Sequence, residues 1–505
     1  MRSALVSVVA CLAWLHAWET RAATCDSLAT LRLSNGTVTA AGVVLPGSFT
    51  PPGAAPTATA NPVFKNLPGF CRVSASLTPT SDSDIRIEVW LPVSGWNGKL
   101  QSVGNGGWAG TIGYPALGAA LAGGYATAAT DTGHVGNTAT FVPGHPEKLV
   151  DYGYRAVHEM TVAAKALIGA FYGSGPRVSY WNGCSTGGRQ GLMEALRYPT
   201  DYDGIIAGAP VNARTQQLTW ELWVAQAVHA NEGSYIPPAK YQAIHAAVLD
   251  ACDARDGAKD GLLENPTQCR FDPAVLECTQ GDGATCLTPA QVRAARTIYT
   301  PAENPATKEA IFPALQPGSE LGWGALAGPQ AVGEAVEFFR HVVFNDPTWD
   351  FRSLRFDRAA EQAAPAARVL DVVDPNLKPF FDRGGKLLLY HGWNDQLVAP
   401  LNSVNYFNRV VGAAGGAAAV SSSVRLFMMP GTNHCAGGVG PNVFDRMAVL
   451  EQWVERGQTP VRIPASHSTN GVVDRTRPLC AYPRVARYRG AGSIDDEANF
   501  ACAAP

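Results

Sequence analysis

The chain has 505 residues, of which 46% are hydrophobic and 16% charged, and its formal net charge is -3. That length accommodates several average domains or one large α/β enzyme with an insertion. So small a net charge gives no overall field to attract nucleic acid or an anionic membrane, and the sequence therefore predicts a small-molecule partner.

The N-terminus predicts an export signal over residues 1–23. One early positive charge, Arg2, precedes a short apolar run that ends near a small-residue site at Ala22 and Ala23. The run is too short to remain in a membrane as a helix. The residues before Cys11 loosely resemble a lipoprotein cleavage site, an alternative that the continuing apolar run disfavours. We expect a secreted or periplasmic protein without a membrane segment.

Cysteine usage agrees with export. The chain has 11 cysteines, and removal of Cys11 with the signal leaves an even set. An even set in an exported chain favours disulfides, with several free buried thiols as the alternative. No pair is spaced C-x-x-C, which argues against a zinc ribbon or a thioredoxin-like site.

Strands and helices are predicted to alternate along most of the chain. Runs rich in β-branched, aliphatic or aromatic residues predict strands, and amphipathic runs predict helices. The predicted strands are 85–91, 125–130, 204–210, 386–391 and 424–429, with two more at the start of 99–110 and of 177–188, where each runs into a glycine-rich turn; the predicted helices are 151–172, 190–197 and 444–456. This order favours a mostly parallel, doubly wound sheet.

The alternation stops in the middle of the chain. Residues 218–383 contain four cysteines and a group of large aromatic side chains: Trp220, Trp223, Trp323, Trp349, Phe338 and Phe339. We interpret this stretch as an inserted lid domain, which leaves residues 24–217 and 384–505 as the catalytic domain. The aromatic side chains either offer a flat apolar surface to a planar substrate or form the core of the lid itself.

A candidate nucleophile lies at the turn within 177–188, which is predicted to be a strand running into a sharp turn. The sequence Gly183-Cys-Ser-Thr-Gly187 matches G-x-S-x-G, the turn that exposes a nucleophilic serine between a strand and a helix. The alternative, a glycine-rich turn with an inert serine, does not account for the strand and helix that flank it. We therefore predict Ser185 as the nucleophile.

Two more candidates follow later strands. Asp395 comes after the strand at 386–391, and His434 after the strand at 424–429. Functional groups in open α/β sheets lie beyond the carboxyl ends of strands, and the chain order Ser, Asp, His is that of α/β-hydrolases. We predict His434 as the base and Asp395 as its acid partner. His391, inside its strand, is interpreted as structural, and Asp382 is a weaker candidate for the acid.

A glycine cluster, in which the strand beginning at Lys99 stops, predicts half of an oxyanion hole. Backbone N–H groups can approach a ligand closely where side chains are missing. Gly106 and Gly107 are the candidates there, and Thr186, directly after the nucleophile, supplies the other N–H. The alternative for either glycine is a simple β-turn.

Cys184 precedes the predicted nucleophile and Cys435 follows the predicted base. If the serine and the histidine touch, the two cysteines are neighbours and can form a disulfide that holds the pair together. The chain-entropy model gives about 5 kcal/mol as an upper value for so long a loop. Two separate buried thiols are the alternative.

These elements together resemble the tannase and feruloyl esterase family. The resemblance rests on Gly183–Gly191, on Gly-Trp-Asn-Asp395, on Asn-His-Cys435, and on the motifs ending at Trp108 and Pro210. It implies an α/β-hydrolase core with a lid and export from the cell. It also implies hydrolysis of aromatic acid esters through a Ser-His-Asp acyl-enzyme, without an organic cofactor. By the same resemblance, the remaining disulfides pair Cys25 with Cys71, Cys252 with Cys269, Cys278 with Cys286, and Cys480 with Cys502.

Residues 252–263 hold three carboxylates and two glycines, a composition that suits a hard cation with oxygen ligands. The spacing is not that of an EF-hand. In the family this segment binds calcium, which implies side-chain ligands from Asp253, Asp256 and Asp260 and carbonyl ligands from Ala258 and Leu262. A solvated acidic turn is the alternative.

The sequence is compatible with three functions. A serine esterase acting on feruloyl esters is the first, with galloyl esters or terephthalate monoesters as alternative substrates. A non-catalytic binding protein on the same scaffold is expected to lose a member of the triad, and this chain keeps all three. A serine peptidase shares the triad and differs only in cleaving amides.

Overall fold

The computed structural model describes residues 23–53 and 62–505. The predicted export signal at 1–23 lies outside this part of the chain, except for Ala23.

A 10-stranded mixed sheet forms the centre of the molecule, in the order β1-β2-β3-β4-β6-β5-β7-β8-β11-β12. Its strands are β1 (Arg32–Leu33), β2 (Gly36–Val44), β3 (Phe70–Leu77), β4 (Ile85–Pro92), β5 (Lys99–Val103), β6 (Ala126–Thr130), β7 (Val178–Cys184), β8 (Gly204–Gly208), β11 (Lys386–Gly392) and β12 (Val424–Met429). The pairings from β1 through β4 to β6 are antiparallel, and those from β6 to β12 are parallel.

The parallel strands are short apolar runs because helices cover both of their faces. β8 is buried at every residue, and β11 at every residue after Lys386. Cys184 of β7 and Tyr390 of β11 both pair with Gly208 of β8, so the strands end at one level. The loops that follow β7, β11 and β12 therefore open at the same edge of the sheet.

Helices flank the sheet and fill the chain between β8 and β11. They are α1 (Pro62–Lys65), α2 (Tyr114–Ala122), α3 (Pro146–Val150), α4 (Ala156–Tyr172), α5 (Thr186–Arg197), α6 (Arg214–Val228), α7 (Tyr241–Cys252), α8 (Pro289–Ile298), α9 (Gly333–Glu337), α10 (Ala359–Leu370), α11 (Lys378–Asp382), α12 (Leu401–Ala413) and α13 (Arg446–Arg456). The helix predicted at 151–172 opens with a π-helical turn, Asp151–Arg155, before α4. α13 starts later than the predicted 444 because the side chain of Asp445 caps it by accepting from Ala448 N.

The chain between β8 and β11 is mainly helical, with one small hairpin of β9 (Ala302–Glu303) and β10 (Ala310–Phe312). α6 begins at Arg214 and so crosses the boundary expected at 218. Two hydrophobic clusters hold this insertion to the sheet domain. One joins Trp220 and Trp323 to Val398, and the other joins Phe338 and Phe339 to Trp108.

A C-terminal region that the sequence did not predict follows α13. It consists of the hairpin β13 (Arg462–Thr469) and β14 (Val472–Cys480) and of the pair β15 (Val485–Tyr488) and β16 (Phe500–Ala503). Arg477 of β14 reaches the insertion, where it forms an ion pair with Asp260.

All five expected disulfides are present. They join Cys25 to Cys71, Cys184 to Cys435, Cys252 to Cys269, Cys278 to Cys286, and Cys480 to Cys502. The predicted pairing is therefore confirmed.

Candidate active site

Ser185 stands at the turn between β7 and α5. Its φ of 62° and ψ of -123° lie in a region of backbone conformation that residues other than glycine rarely adopt. Such backbone strain is found mainly at functional sites. The turn is held by a 2.9 Å hydrogen bond that Ser185 N donates to Gly208 O of the neighbouring strand. The serine side chain is half-buried at the carboxyl edge of the sheet.

The glycines of this turn allow backbone segments to touch. A methyl group on Gly183 would lie 2.4 Å from Gly187 O, and one on Gly188 would lie 2.4 Å from Gly208 O. Neither neighbour is a flexible side chain, so the turn and the start of α5 need glycine at these two positions.

Asp395 and His434 form a hydrogen-bonded pair after β11 and β12. His434 Nδ1 donates to Asp395 Oδ2 at 2.7 Å, and the N–H groups of Leu397 and Val398 donate to Asp395 Oδ1 at 2.9 and 2.8 Å. Because a carboxylate can only accept, the proton lies on His434 Nδ1, and Nε2 of the neutral ring carries the lone pair. That tautomer is the one a general base needs.

The two groups alter each other's pKa. Burial by itself raises the pKa of Asp395, but the charge of His434 and the hydrogen bonds from His391 and His434 outweigh it. The pKa of Asp395 is therefore held well below its usual value. Burial by itself lowers the pKa of His434, but the Asp395 carboxylate outweighs it, and the pKa of His434 is raised.

His391 supports the acid from inside the core. It is fully buried, and its Nε2 donates to Asp395 Oδ2 and to Val398 O, both at 3.0 Å. Its Nδ1 lies 2.7 Å from Ser403 Oγ. Because both ring nitrogens are engaged, His391 holds Asp395 in place and is not available as a base.

The disulfide between Cys184 and Cys435 links the backbone next to Ser185 to the backbone next to His434. Its Cα atoms are 6.0 Å apart, and each half-cystine is the chain neighbour of one of the two residues. Within the part of the chain that the structure describes, Ser185 Oγ and His434 make no hydrogen bond. This contact is often long in free enzymes and shortens when substrate binds.

The glycine loop after β5 packs against the start of α5. Gly107 O accepts from Thr186 Oγ1 at 3.1 Å and from Tyr152 Oη at 2.6 Å. In the described ranges, the backbone N–H groups of Gly106, Gly107 and Thr186 donate to no protein atom. They are therefore free to bind a developing oxyanion.

The insertion contributes two charged residues near this loop that the sequence analysis missed. Glu334 of α9 forms an ion pair with the buried Arg214 of α6. Trp108 Nε1 donates to Glu334 O at 3.2 Å, which ties α9 to the glycine loop. No motif marks either residue, because helices far apart in sequence bring them together.

The aromatic side chains of the insertion are mostly internal. Trp220, Trp323, Phe338 and Phe339 are fully buried. Trp223 packs on Phe356 and Trp349 on Phe339, with ring centroids 5.0 and 5.4 Å apart. Of the two interpretations given above, the structure therefore favours the one in which these rings form the core of the insertion.

The expected calcium ligands lie in one turn of the insertion. Asp253 accepts from Gly261 N at 3.0 Å, and Asp256 accepts from Ala258 N at 3.0 Å. The three carboxylates do not converge as a set. Among the described residues, a trio of ligand atoms within 4.8 Å of one another occurs only at His158, Glu194 and Asp201, which lie towards the far end of α5 from Ser185.

The parallel sheet, the strained serine at its edge and the histidine–carboxylate pair after its last strands define an α/β-hydrolase. The family model for tannase and feruloyl esterase matches residues 71–503. The chain belongs to this family and is a carboxylic ester hydrolase, as the resemblance predicted.

Similar proteins cover nearly the whole chain. An uncharacterised esterase of Xanthomonas campestris pv. campestris is 37% identical over 99% of this chain and 94% of its own length. A probable feruloyl esterase B-2 of Neosartorya fischeri is 34% identical over 86% of both chains. The crystal structure of feruloyl esterase B from Aspergillus oryzae superposes with a TM-score of 0.89 at 30% identity, over 95% of this chain and 99% of that one.

Among the residues that the structure describes, none of the helices is both long and apolar enough to cross a membrane.

Proposed function

We propose that this protein is an exported serine esterase that cleaves esters of aromatic acids, feruloyl esters first. The observation that carries the proposal is the His434–Asp395 pair, covalently linked to the Ser185 turn by Cys184–Cys435. The feruloyl preference is supported by the names of similar proteins, which include feruloyl esterases B. Galloyl esters and terephthalate monoesters are the alternative substrates.

In the first half of the reaction, Ser185 Oγ attacks the acyl carbon while His434 Nε2 takes the hydroxyl proton. Asp395 stabilises the imidazolium that forms, because its carboxylate accepts the Nδ1 proton throughout. The carbonyl oxygen becomes an oxyanion near the N–H groups of Thr186 and of Gly106 or Gly107. The carbon–oxygen bond to the alcohol then breaks, and the alcohol leaves with the proton from Nε2.

The second half repeats these steps with water. His434 Nε2 takes a proton from water, and the hydroxide attacks the acyl carbon of the ester on Ser185. The bond to Oγ then breaks, and the proton on Nε2 returns to the serine. The free acid is released, and the groups return to their starting protonation states.

The experiment is a panel of methyl ferulate, methyl gallate, a terephthalate monoester and ethyl butyrate, assayed with the native enzyme and with Ser185→Ala. We expect kcat/KM for methyl ferulate to exceed that for ethyl butyrate at least about tenfold, a difference of roughly 1.4 kcal/mol in transition-state binding. Ser185→Ala should lose activity on every ester while its circular dichroism spectrum stays native. Activity near wild type in that variant would remove Ser185 from the mechanism, and equal rates on the butyrate ester would indicate a general carboxylesterase.

We propose further that the turn at 253–262 binds a structural calcium ion. Its candidate ligands are the carboxylates of Asp253, Asp256 and Asp260 and the carbonyls of Ala258 and Leu262, an all-oxygen set of the kind that calcium prefers. All five residues are buried or partly buried; because the three carboxylates do not converge and Asp260 pairs with Arg477, calcium binding requires these side chains to turn towards one point. A bound calcium ion would compensate the negative charge of this turn and would take no part in the reaction.

Export is supported by the disulfides. Every cysteine after Cys11 is paired, and such pairs form and persist in oxidising compartments. We therefore propose a secreted or periplasmic location.

A further inference from the structure

An ion pair of the insertion lies beside the glycine loop of the candidate active site. Arg214, the first residue of α6, is buried with 2% of its side chain exposed, and it lies over the Trp108 ring, 5.4 Å from the centroid. Its partner Glu334, on α9, has 39% of its side chain exposed. The positive end of the pair therefore points into the protein and the negative end towards solvent.

The exposed carboxylate lies beside one of the candidate oxyanion residues. A methyl group built on Gly107 would come within 2.5 Å of Glu334 Oε1. The φ of Gly107 is 51°, a conformation that residues with a side chain rarely adopt, so the backbone here favours glycine. Glu334 therefore lies next to the backbone that is expected to bind the ester carbonyl.

The carboxylate also lies near the candidate base. The charge of Glu334 raises the pKa of His434, and the charge of Arg214 acts in the opposite direction. A group bound beside Gly107 and His434 thus meets a negative charge whose counter-ion is buried behind it. Over a few ångströms in a partly buried site, such a charge changes the binding of an ionised ligand substantially.

We propose that Glu334 is a specificity residue that makes this esterase discriminate against substrates carrying a second, ionised carboxylate, with Arg214 as the residue that positions it. The inference rests on the proposed function and narrows it. Neutral aromatic esters, such as feruloyl and galloyl esters, are accepted, whereas terephthalate monoesters are disfavoured.

The test compares two esters that differ in charge but hardly in shape, methyl 4-carboxybenzoate and methyl 4-carbamoylbenzoate. In the native enzyme, kcat/KM should favour the neutral amide by about tenfold or more. Glu334→Gln keeps an acceptor for Arg214 and should reduce that preference about tenfold. Glu337→Gln makes the same change of charge on the same helix, where Glu337 pairs with His341, and should leave the preference unchanged.

A second measurement uses the native enzyme alone. Raising the salt concentration from about 0.02 M to about 0.5 M shortens the screening length severalfold and should reduce the preference for the neutral ester. Equal kcat/KM for the two esters, or a preference unchanged in Glu334→Gln, would overturn the inference while leaving the esterase assignment intact. Failure of the enzyme to hydrolyse these esters and methyl ferulate would instead overturn the proposed function, and this inference with it.

Discussion

Two histidines bind one carboxylate oxygen at the candidate active site, and their surroundings separate their roles. His391 is fully buried and its second nitrogen contacts Ser403, whereas the side chain of His434 is 14% exposed and its Nε2 is free to take a proton. The hydrogen bonds that Asp395 accepts from both rings keep it ionised. A single carboxylate is thus fixed by one histidine and orients the other.

The first prediction concerns the acid side of the pH–rate profile. His434 cannot accept a proton once it is protonated, so kcat/KM should fall as the pH drops through its pKa. Since that pKa is raised, the midpoint should lie above the ordinary histidine value of about 6.5. The measurement is kcat/KM for a neutral ester against pH at constant ionic strength.

Two variants test the cause of that shift. Glu334→Gln should move the midpoint to lower pH, because it removes a charge that raises the pKa of His434. Glu337→Gln should leave the midpoint unchanged. A native midpoint below 6.5 would contradict the pairing of His434 with an ionised Asp395.

The second prediction distinguishes the two candidate oxyanion glycines. Gly107→Ala strains the backbone at a φ of 51° and displaces the Glu334 carboxylate, which would lie 2.5 Å from the new methyl group, so kcat/KM should fall about tenfold or more. Gly106→Ala meets no atom within 4 Å and should remain within about threefold of wild type, since a surface alanine in open space changes little. Steady-state kinetics on methyl ferulate give kcat/KM for both variants. Equal losses of kcat/KM would show that the surroundings of Gly107 are no more restrictive than those of Gly106.

At the scale of elements, the strands that position the candidate site could be predicted, whereas the packing of the insertion could not. β12 was predicted to the residue and β11 to within one residue, because a fully buried parallel strand is a short apolar run between turn residues. The candidate residues Ser185, Asp395 and His434 lie in the turns that follow parallel strands of this sheet. Glu334 and Arg214 lie on helices whose contact depends on how the insertion packs, and neither periodicity nor a motif reports that packing.

The third prediction concerns the disulfide that joins β7 to the loop after β12. Replacing Cys184 and Cys435 with alanine should lower kcat/KM about tenfold or more, because the Ser185 turn and His434 lose their covalent link. Far-UV circular dichroism should stay close to native.

The pair Cys278–Cys286 is the matched control, because it closes a loop of 8 residues instead of 251. The chain-entropy model gives a stabilisation of about 2.5 kcal/mol for Cys278–Cys286 and about 5 kcal/mol for Cys184–Cys435. Its double alanine variant should lose stability but little activity. Comparable activity losses in both variants would mean that the Cys184–Cys435 link acts only through global stability.

The fourth prediction concerns the calcium turn. Chelator should lower the melting temperature of the enzyme more than it lowers initial rates at low temperature, and added calcium should restore it, because an ion that binds only the folded state stabilises that state. Asp256→Asn should weaken the response to calcium. A melting curve unchanged by chelator would indicate a solvated acidic turn.

At the scale of the whole molecule, the insertion and the sheet domain share their hydrophobic contacts. Trp108, on the glycine loop, belongs to the same cluster as Phe338 and Phe339 of the insertion. Arg189 of α5 reaches the insertion as well, since its Nη1 donates to Leu370 O at 3.2 Å. The same nitrogen donates to Gly153 O of the sheet domain at 2.8 Å. The insertion therefore helps to hold both the glycine loop and the helix that begins after Ser185.

The link between Cys184 and Cys435 also closes a covalent ring that contains the whole insertion. Lys308, an exposed residue in the turn between β9 and β10, is open to trypsin. Of the disulfides in the described ranges, Cys184–Cys435 alone would join the two fragments of such a nicked chain. Nicked enzyme should migrate as one species on a denaturing non-reducing gel and as two after reduction, so the fragments that carry Ser185 and His434 would lose their covalent link only in a reducing environment.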